Sequence, residues 1–279
     1  MDDLRFLHIP KTAGSTFAGI LISQYGLWNH FQFIGRIDQD TRRWSSLSEA
    51  RKRKKNLFLC HSPLVTGIDK ADNAKIITLL REPVNRVKSF CQHVFEGKSP
   101  YLKAKFSPSS FSLDDFLNSG ELELDNLQVN ILAGNAGGGV RTLQGINGDE
   151  LQDKAWEMLT RQIHCYGLLE EFDNSILLLQ KKLGWKKDLL YVQVNKKSPA
   201  RRLEFKQHHL DKIAELNRLD ITVYNKAKDY FREQIDRNIG QQELLRFQSL
   251  NAENQSMTAF KWIFIRFFLK LERLSIGST

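Results

Sequence analysis

The chain has 279 residues, 41% of them hydrophobic, and a formal net charge of +9. That apolar content is enough for one α/β domain with a sizeable core, and no internal repeat or Pro/Gly/Ser-rich linker divides the sequence. The basic charge favours anionic partners, which include nucleotides, nucleic acid, acidic glycans and membrane surfaces, without choosing among them. The three cysteines are widely spaced. They are odd in number and show neither metal-site nor disulfide-framework spacing, so a reducing compartment is the simplest interpretation.

The first predicted strand, at about residues 4–9, leads into the sequence HIPKTAGST at 8–16, and a helix is expected from about 15 to 25. A strand, a turn of small residues and a helix N-terminus make an anion site, because backbone N–H groups converge there and the helix dipole adds positive potential. Lys11 supplies a mobile cation, and Gly14 lets the backbone come close. The hydroxyl donors of this turn are Thr12, Ser15 and Thr16.

The order of residues in this turn indicates which kind of anion it binds. Lysine precedes glycine by three residues, the reverse of the Walker order, and the shorter loop suits a single phosphate. HIPKTAGST resembles the 5′-phosphosulfate loop of sulfotransferases that use 3′-phosphoadenosine 5′-phosphosulfate (PAPS), in particular the carbohydrate sulfotransferases of the heparan sulfate 2-O type. The resemblance implies that six residues hold the phosphosulfate end of PAPS: Lys11, Thr12, Ala13, Gly14, Ser15 and Thr16.

A second motif follows another predicted strand. The run AKIITLL at 74–80 ends at Arg81-Glu82-Pro83, where proline fits the first turn of a helix. The stretch resembles the family's 3′-phosphate motif R-x-P-x-x-R-x-x-S, which implies that Arg81 and Ser89 bind the 3′-phosphate. Arginine suits this task because its planar fork donates two parallel hydrogen bonds. Both motifs lie at carboxyl ends of strands, where open α/β sheets bind ligands, so one site can hold both ends of a nucleotide.

A strand predicted at 56–60 ends at His61, on the same edge as both motifs. In the family, the strand between the motifs ends in a histidine proposed as catalytic base, so the resemblance implies this role for His61. Its ordinary pKa of about 6.5 suits a general base at neutral pH. A hydrogen-bonded structural histidine is the alternative. His8 is expected to serve packing and loop shape, and His93 is expected to be solvated.

Later segments resemble the family more weakly. Residues 125–134 resemble its helix D-N-x-Q-x-R-x-L-x-G, which lies near the acceptor, with Asn130 where many relatives have arginine. In relatives the loop after the strand predicted at 189–194 closes over the nucleotide, and solvation of this loop is the alternative. The resemblance implies contacts to the nucleotide from Lys197, Ser198 and Arg201. The run RKRKK at 51–55 is expected to be a solvated turn, with acceptor steering as the alternative.

The resemblance covers about residues 4–235, which predicts a sulfotransferase domain at 1–235 and a C-terminal helical extension at 236–279. The apolar and aromatic stretch at 260–271 contains three cations and is too short to span a bilayer, which needs about 20 apolar residues. It is expected either to dock on protein, its own domain or a second copy, or to lie on a membrane surface. With no N-terminal targeting segment, a cytoplasmic location is expected, membrane-peripheral if the tail binds lipid, or the Golgi lumen if an anchor was removed.

The predicted fold is α/β, with a P-loop nucleotide-kinase-like central parallel sheet flanked by helices. The predicted function is sulfuryl transfer from PAPS to an acceptor hydroxyl, of a carbohydrate by resemblance, by in-line displacement without a metal. Lys11 and His61 are the predicted catalytic residues. Two alternatives stay open. An ATP-dependent P-loop-type kinase calls for magnesium ligands and the Walker order, and a basic nucleic-acid-binding protein calls for a recognition helix; neither feature is visible in the sequence, and no nucleic-acid partner is expected.

Overall fold

The computed structural model of the chain describes residues 1–33, 37–60, 66–99, 102, 105, 111–134, 136–137, 140–141, 147–186, 189–191, 203–255, 263 and 265. Its strands are β1 (Leu4–Leu7), β2 (His30–Gln32), β3 (Leu57–Cys60), β4 (Lys75–Leu80), β5 (Ala136–Gly137), β6 (Val140–Arg141) and β7 (Ile163–Leu168).

A central sheet of five parallel strands runs in the order β2-β3-β1-β4-β7. Leu4 at the start of β1 lies opposite Leu57 on one neighbour and Lys75 on the other. The chain builds one half of the sheet through β2 and β3 and then crosses β1 to reach β4. A topological switch point therefore lies beside the carboxyl end of β1, the position at which such sheets bind ligands. The predicted α/β fold with a central parallel sheet is confirmed.

Helices connect and cover these strands. They are α1 (Gly14–Tyr25), α2 (Ile37–Ser45), α3 (Glu49–Lys54), α4 (Asp69–Asp72), α5 (Pro83–Phe95), α6 (Leu113–Leu117), α7 (Leu127–Leu132), α8 (Gly148–Glu157), α9 (Phe172–Lys182), α10 (Gln207–Leu216), α11 (Arg218–Asn238) and α12 (Gln241–Glu253). Short 3₁₀ turns lie at Leu122–Leu124 and Leu169–Glu171, and a π-helical turn at Met158–Gln162 follows α8.

The core lies on both faces of the sheet. Every residue of β1 and β3 is buried, as expected for parallel strands that are covered on both sides. The main apolar cluster joins the strands to helices on either side through residues such as Phe17, Leu179 and Phe231. A second cluster joins α5 to α6 through Phe90 and Phe116. This packing fixes the helices that begin at the carboxyl edge of the sheet.

The basic run at 51–55 lies at the opposite edge. It occupies the end of α3 and leads into the amino end of β3, whereas the predicted site lies beyond Cys60 at the carboxyl end of that strand. No residue of α3 is buried. The run is therefore solvated as expected, although residues 51–54 form a helix rather than a turn, and its placement argues against a role in steering the acceptor.

Helix α12 packs on the core although it follows the predicted domain boundary. Phe247 is buried in the main cluster, Asn251 Oδ1 accepts the Tyr191 N–H (2.9 Å), and Lys181 Nζ lies 2.7 Å from Glu243 Oε2. The boundary at 235/236 stays a prediction, as does the role of residues 260–271, most of which lie outside the described residues. Among the described helices, none combines the length and apolar character needed to cross a membrane.

Candidate active site at the carboxyl edge of the sheet

The turn between β1 and α1 contains two residues in the left-handed region that are not glycine. Lys11 has a φ of 72° and Ala13 a φ of 62°. Such backbone costs of order 1–3 kcal/mol per residue and persists only where the surroundings hold it. The first intrahelical bond of α1 runs from the Phe17 N–H to the Ala13 carbonyl (3.0 Å). The N–H groups of residues 14–16 therefore precede the helical ladder and are the ones a helix N-terminus offers to an anion.

Gly14 is required by a neighbouring side chain. A Cβ atom at this position would lie 1.7 Å from His8 Nε2, because the imidazole covers the glycine. The His8 ring in turn stacks on Phe6, with ring centroids 5.5 Å apart. His8 therefore serves packing and loop shape in the turn, as the sequence analysis expects, and its ring lies against the first residue of α1.

The hydroxyl groups of the turn differ in their surroundings. Thr12 is fully buried, and its Oγ1 donates to the Ile9 carbonyl (2.8 Å), so this hydroxyl shapes the turn itself. Thr16 is also buried, whereas Ser15 is exposed in the first turn of α1. Ser15 is therefore the hydroxyl of this turn that an external ligand can reach most easily.

Arg81 brings the second motif to the first. Its Nη1 donates to the Lys11 carbonyl across 3.0 Å, although the two residues are 70 positions apart. Arg81 Nε is buried without a hydrogen-bond partner among the described residues. Burial lowers the pKa of this guanidinium, and the nearby Glu170 and Glu82 oppose that effect. A buried, unsatisfied donor on a cation fits an anionic ligand, since buried polar groups are normally hydrogen-bonded.

The backbone around Arg81 is held by side chains from elsewhere in the chain. Gln128 Oε1 accepts the Arg81 N–H (3.0 Å), and Gln128 Nε2 donates to the Arg81 carbonyl (2.8 Å). Glu170 Oε1 accepts the next N–H, that of Glu82 (3.0 Å), and the Glu82 carboxylate caps α5 at Val84 and Asn85. Neither Gln128 nor Glu170 is among the site residues predicted from the sequence. The sequence feature that could have pointed to Gln128 is its position in the segment 125–134, which resembles a family helix.

Ser89 and His93 lie one turn apart on α5, and both are half-buried. His93 is less solvated than expected, because α5 packs into the domain and leaves its side chain only partly exposed. Burial lowers the pKa of His93, and the cations of Lys11 and Lys98 lower it further. His93 is therefore neutral over a wider pH range than a free histidine, and it lies within electrostatic range of Lys11.

The second arginine of the motif has a structural position. Arg86 is fully buried, and its Nη2 donates to the Glu123 carbonyl (2.6 Å). Its Nε and Nη1 have no hydrogen-bond partner within the described part of the chain, and burial lowers its pKa while Asp220 opposes that effect. Arg86, which is 0% exposed, joins α5 to the 3₁₀ turn at Leu122–Leu124 through the Glu123 carbonyl.

Four predicted site residues lie outside the described residues: His61, Lys197, Ser198 and Arg201. The flanking residues are described. The Cys60 carbonyl accepts the His8 N–H (2.6 Å), so the end of β3 is joined to the end of β1. Leu203 follows the segment that contains Lys197, Ser198 and Arg201, and its N–H donates to Gln92 Oε1 on α5 (2.9 Å). The roles of these four residues stay predictions.

A separate cluster joins α10 to α6. The Nε2 atoms of His208 and His209 lie 3.1 and 3.2 Å from Asp114 Oδ1, and the three possible ligand atoms lie within 4.8 Å of one another. However, His209 Nδ1 accepts the Lys206 N–H (3.0 Å), so the proton of neutral His209 is on Nε2, which then has no lone pair for a metal ion. Both histidines lower the pKa of Asp114. We assign this cluster to fastening the two helices.

The donor set at the carboxyl edge is therefore a lysine, an arginine, helix N-terminal amides and a serine, which suits a ligand with two anionic ends. The family model described as galactose-3-O-sulfotransferase matches residues 59–261, well over half of the chain. The match includes the motif at 81–89 and begins beyond the turn at 8–16. It confirms the predicted carbohydrate sulfotransferase family and names a galactose 3-O type where the motifs resemble the 2-O type. No curated protein matches the chain.

Proposed function

This chain belongs to the galactose-3-O-sulfotransferase family and is a carbohydrate sulfotransferase, and we propose that it takes the sulfuryl group from PAPS. The observation that carries the proposal is the hydrogen bond from Arg81 Nη1 to the Lys11 carbonyl. It joins a cationic turn at the end of β1 to an arginine at the end of the neighbouring β4. Two anion-binding motifs at one switch point suit a nucleotide with phosphates at both ends of its ribose.

Each end of the nucleotide has its own residues in this proposal. Lys11 and the N–H groups of Gly14, Ser15 and Thr16 bind the 5′-phosphosulfate, with Ser15 as the accessible hydroxyl. Thr12 and Ala13 hold the backbone in its left-handed turn. Arg81 and Ser89 bind the 3′-phosphate. Further contacts come from Lys197, Ser198 and Arg201.

In the proposed reaction, a bond forms between the acceptor oxygen and sulfur as the bond from sulfur to the 5′-phosphate oxygen breaks. His61 accepts the proton of the acceptor hydroxyl, and Lys11 stabilises the negative charge that grows on the leaving phosphate oxygen. The backbone N–H groups at the start of α1 add fixed positive potential at the same place. Preorganised donors of this kind act without reorganisation during the reaction, and the loss of one costs on the order of 10²–10³ in rate.

For the acceptor, we propose a saccharide with a terminal or internal galactose whose 3-hydroxyl is sulfated. The support is the description of the matched family. The net charge of +9 also supports the proposal, because it favours binding of the anionic nucleotide and is compatible with an anionic glycan as acceptor.

Calorimetry in EDTA with 3′,5′-adenosine bisphosphate, AMP and ATP tests the donor side of the proposal. We expect the bisphosphate to bind more tightly than AMP and ATP, without added metal. Arg81→Ala weakens bisphosphate binding at least tenfold, since a hydrogen bond to a charged group is worth ~1.5–3 kcal/mol. Arg161→Ala, at an exposed ion pair on the π-helical turn, is the matched control and leaves binding unchanged. Equal affinity for AMP and the bisphosphate contradicts the 3′-phosphate role of Arg81 and Ser89.

The acceptor side needs a transfer assay. Labelled PAPS is incubated with galactosides and with galactosides methylated at the 3-hydroxyl. We expect label in the first set alone. Transfer to both sets at equal rates shows that another hydroxyl is the acceptor, and transfer to neither contradicts a galactose acceptor.

A further inference from the structure

We infer that Gln128 is a positioning residue that sets the guanidinium of Arg81 and thereby the preference for a nucleotide with a 3′-phosphate. This inference rests on the proposed function. Gln128 is 3% exposed, and its side-chain amide lies against the backbone of Arg81. It bonds both backbone polar groups of Arg81, with 3.0 and 2.8 Å between the heavy atoms.

The double contact fixes a backbone that its own strand and helix leave unsupported. Arg81 lies between the last residue of β4, Leu80, and the first residue of α5, Pro83. Neither its N–H nor its carbonyl belongs to the ladders that join β4 to β1 and β7, and the amide of Gln128 satisfies both. A side-chain amide that both donates and accepts fixes the orientation of the residue it clamps.

The clamp is itself anchored. The Gln128 N–H donates to Asp220 Oδ2 (3.1 Å), and the next N–H, that of Val129, donates to Asp220 Oδ1 (2.7 Å). Asp220 is 1% exposed, in the first turn of α11. Gln128 therefore has a fixed position relative to α11, and it transmits that position to Arg81.

Gln128 is the side chain that bonds the backbone of Arg81 itself, whereas Glu170 bonds the backbone of the next residue. Glu170 holds the N–H of Glu82 and also accepts a hydrogen bond from the Tyr224 hydroxyl (2.8 Å). With Arg81 fixed by its backbone, its Nη1 reaches the Lys11 carbonyl and its Nε remains available to a ligand oxygen. The distance between the two anion-binding motifs, which must equal the distance between the two ends of the nucleotide, therefore depends on Gln128.

The test compares the affinities of Gln128→Met for 3′,5′-adenosine bisphosphate and for AMP. Methionine has a similar shape and cannot make either hydrogen bond. We expect the dissociation constant for the bisphosphate to rise about tenfold and that for AMP to change less than about twofold, since a charge-assisted hydrogen bond is weakened at one end of the ligand only. In transfer assays the same variant raises KM for PAPS and leaves kcat at saturating PAPS nearly unchanged.

Asn130→Ala is the matched control. Asn130 is a buried amide on the same helix, and its Nδ2 donates to the carbonyls of Asp125 and Asn126. It is expected to lower the melting temperature without changing the ratio of the two affinities. If Gln128→Met does not yield folded protein, Gln128→Glu takes its place, because it keeps the acceptor for the Arg81 N–H and loses the donor.

The outcomes separate the two proposals. If the unmodified protein binds AMP and the bisphosphate equally, the proposed 3′-phosphate site is wrong and the role of Gln128 falls with it. If the unmodified protein discriminates and the Gln128 variants keep the same ratio, the positioning role alone is overturned. Equal weakening of both nucleotides also overturns it, because a general loss of structure explains that result.

Discussion

Asn126, which precedes α7, and Asp220, in the first turn of α11, each accept hydrogen bonds from the N-terminal amides of the other's helix. Asn126 Oδ1 accepts the N–H groups of Leu219 and Asp220 at the start of α11 (2.9 and 3.1 Å), and the Asp220 carboxylate accepts those of Gln128 and Val129 at the start of α7. Two helix N-termini are thereby satisfied by one pair of side chains that are 94 positions apart. Asn126 takes a φ of 45° to do so, in the region that asparagine tolerates better than most residues. The pair fixes the segment that carries Gln128 to the long helix behind the candidate site.

Asp220 makes stability depend on pH in an unusual direction. Burial raises its pKa from 3.8 to about 6, against the opposing effects of Arg86 and of its two backbone hydrogen bonds. The folded protein therefore favours the neutral form of Asp220. The resulting contribution to the free energy of unfolding is fully present below pH ~3.8 and is lost as the pH rises through ~6. Asp220→Asn removes this titration. We expect the free energy of unfolding of the unmodified protein, relative to the variant, to fall by about 1–3 kcal/mol between pH 4 and 7.

Urea unfolding at several pH values measures this difference. Asp229→Asn, at an exposed position on the same helix, is the control for replacing an aspartate by asparagine in α11. A difference between the unmodified protein and Asp220→Asn that stays constant, or that grows with pH, shows that Asp220 is ionised in the folded protein throughout.

Gly167 on β7 is a close-packing position, and Gly167→Ala is expected to destabilise the protein. A Cβ atom there would lie 2.5 Å from Ser175 Cβ and 2.8 Å from Leu79 Cδ2. Ser175 cannot move away easily, because its Oγ bonds both the N–H and the carbonyl of Leu168. Overpacking of this kind costs about 1–3 kcal/mol. Gly240→Ala, where nothing lies within 4 Å of the new atom, is the control for chemical denaturation. Equal effects of the two substitutions contradict the packing argument.

The parts of this protein that the sequence predicts are those with local signals. The apolar runs predict β1, β3 and β4, the proline of the 81–83 turn predicts the start of α5, and the placement of both motifs at strand ends predicts that they share an edge. The contact between Arg81 and Lys11 follows from that placement.

The parts that it does not predict depend on long-range contacts. Gln128 and Arg81 are 47 positions apart in the sequence, and the reciprocal caps join residues 126 and 220. A local sequence pattern therefore predicts neither of these contacts. The partial burial of His93 follows from how α5 packs, which its helical spacing alone does not specify. The reason for Gly14 also differs from the expected one, since the atoms that would meet its Cβ belong to His8.

Lys11→Ala is expected to lower kcat by a factor on the order of 10²–10³, the usual loss when one preorganised charge-stabilising donor is removed. Residue 11 has a left-handed backbone, and alanine tolerates that conformation no worse than lysine does. The loss of kcat can therefore be attributed to the ammonium group. Lys154→Ala, at an exposed ion pair on α8, controls for the loss of a surface cation. Transfer assays with labelled PAPS measure the effect, and a kcat within threefold of the unmodified enzyme excludes Lys11 from the chemical step.

His61→Ala is expected to lower kcat strongly while the dissociation constant for 3′,5′-adenosine bisphosphate stays within about twofold, because a general base acts on the acceptor hydroxyl. His164→Ala, an exposed histidine at the amino end of β7, is the control. If His61→Ala retains most of its kcat, the base is another residue. Among the described histidines, His8 at the end of β1 and His93 on α5 are then the two to substitute next.

The contact between His8 and Gly14 is tested by a double-mutant cycle. Gly14→Ala alone is expected to lower the free energy of unfolding by about 1–3 kcal/mol and to weaken binding of the bisphosphate, because the new methyl group must displace the imidazole from its stack on Phe6. His8→Ala removes the group that the methyl meets. In that background Gly14→Ala is expected to cost little, which gives a coupling energy of about 1–3 kcal/mol. Additive effects on both stability and binding would mean that Gly14 is needed for its backbone conformation or for close approach of the ligand, and that the His8 side chain does not determine the need for glycine.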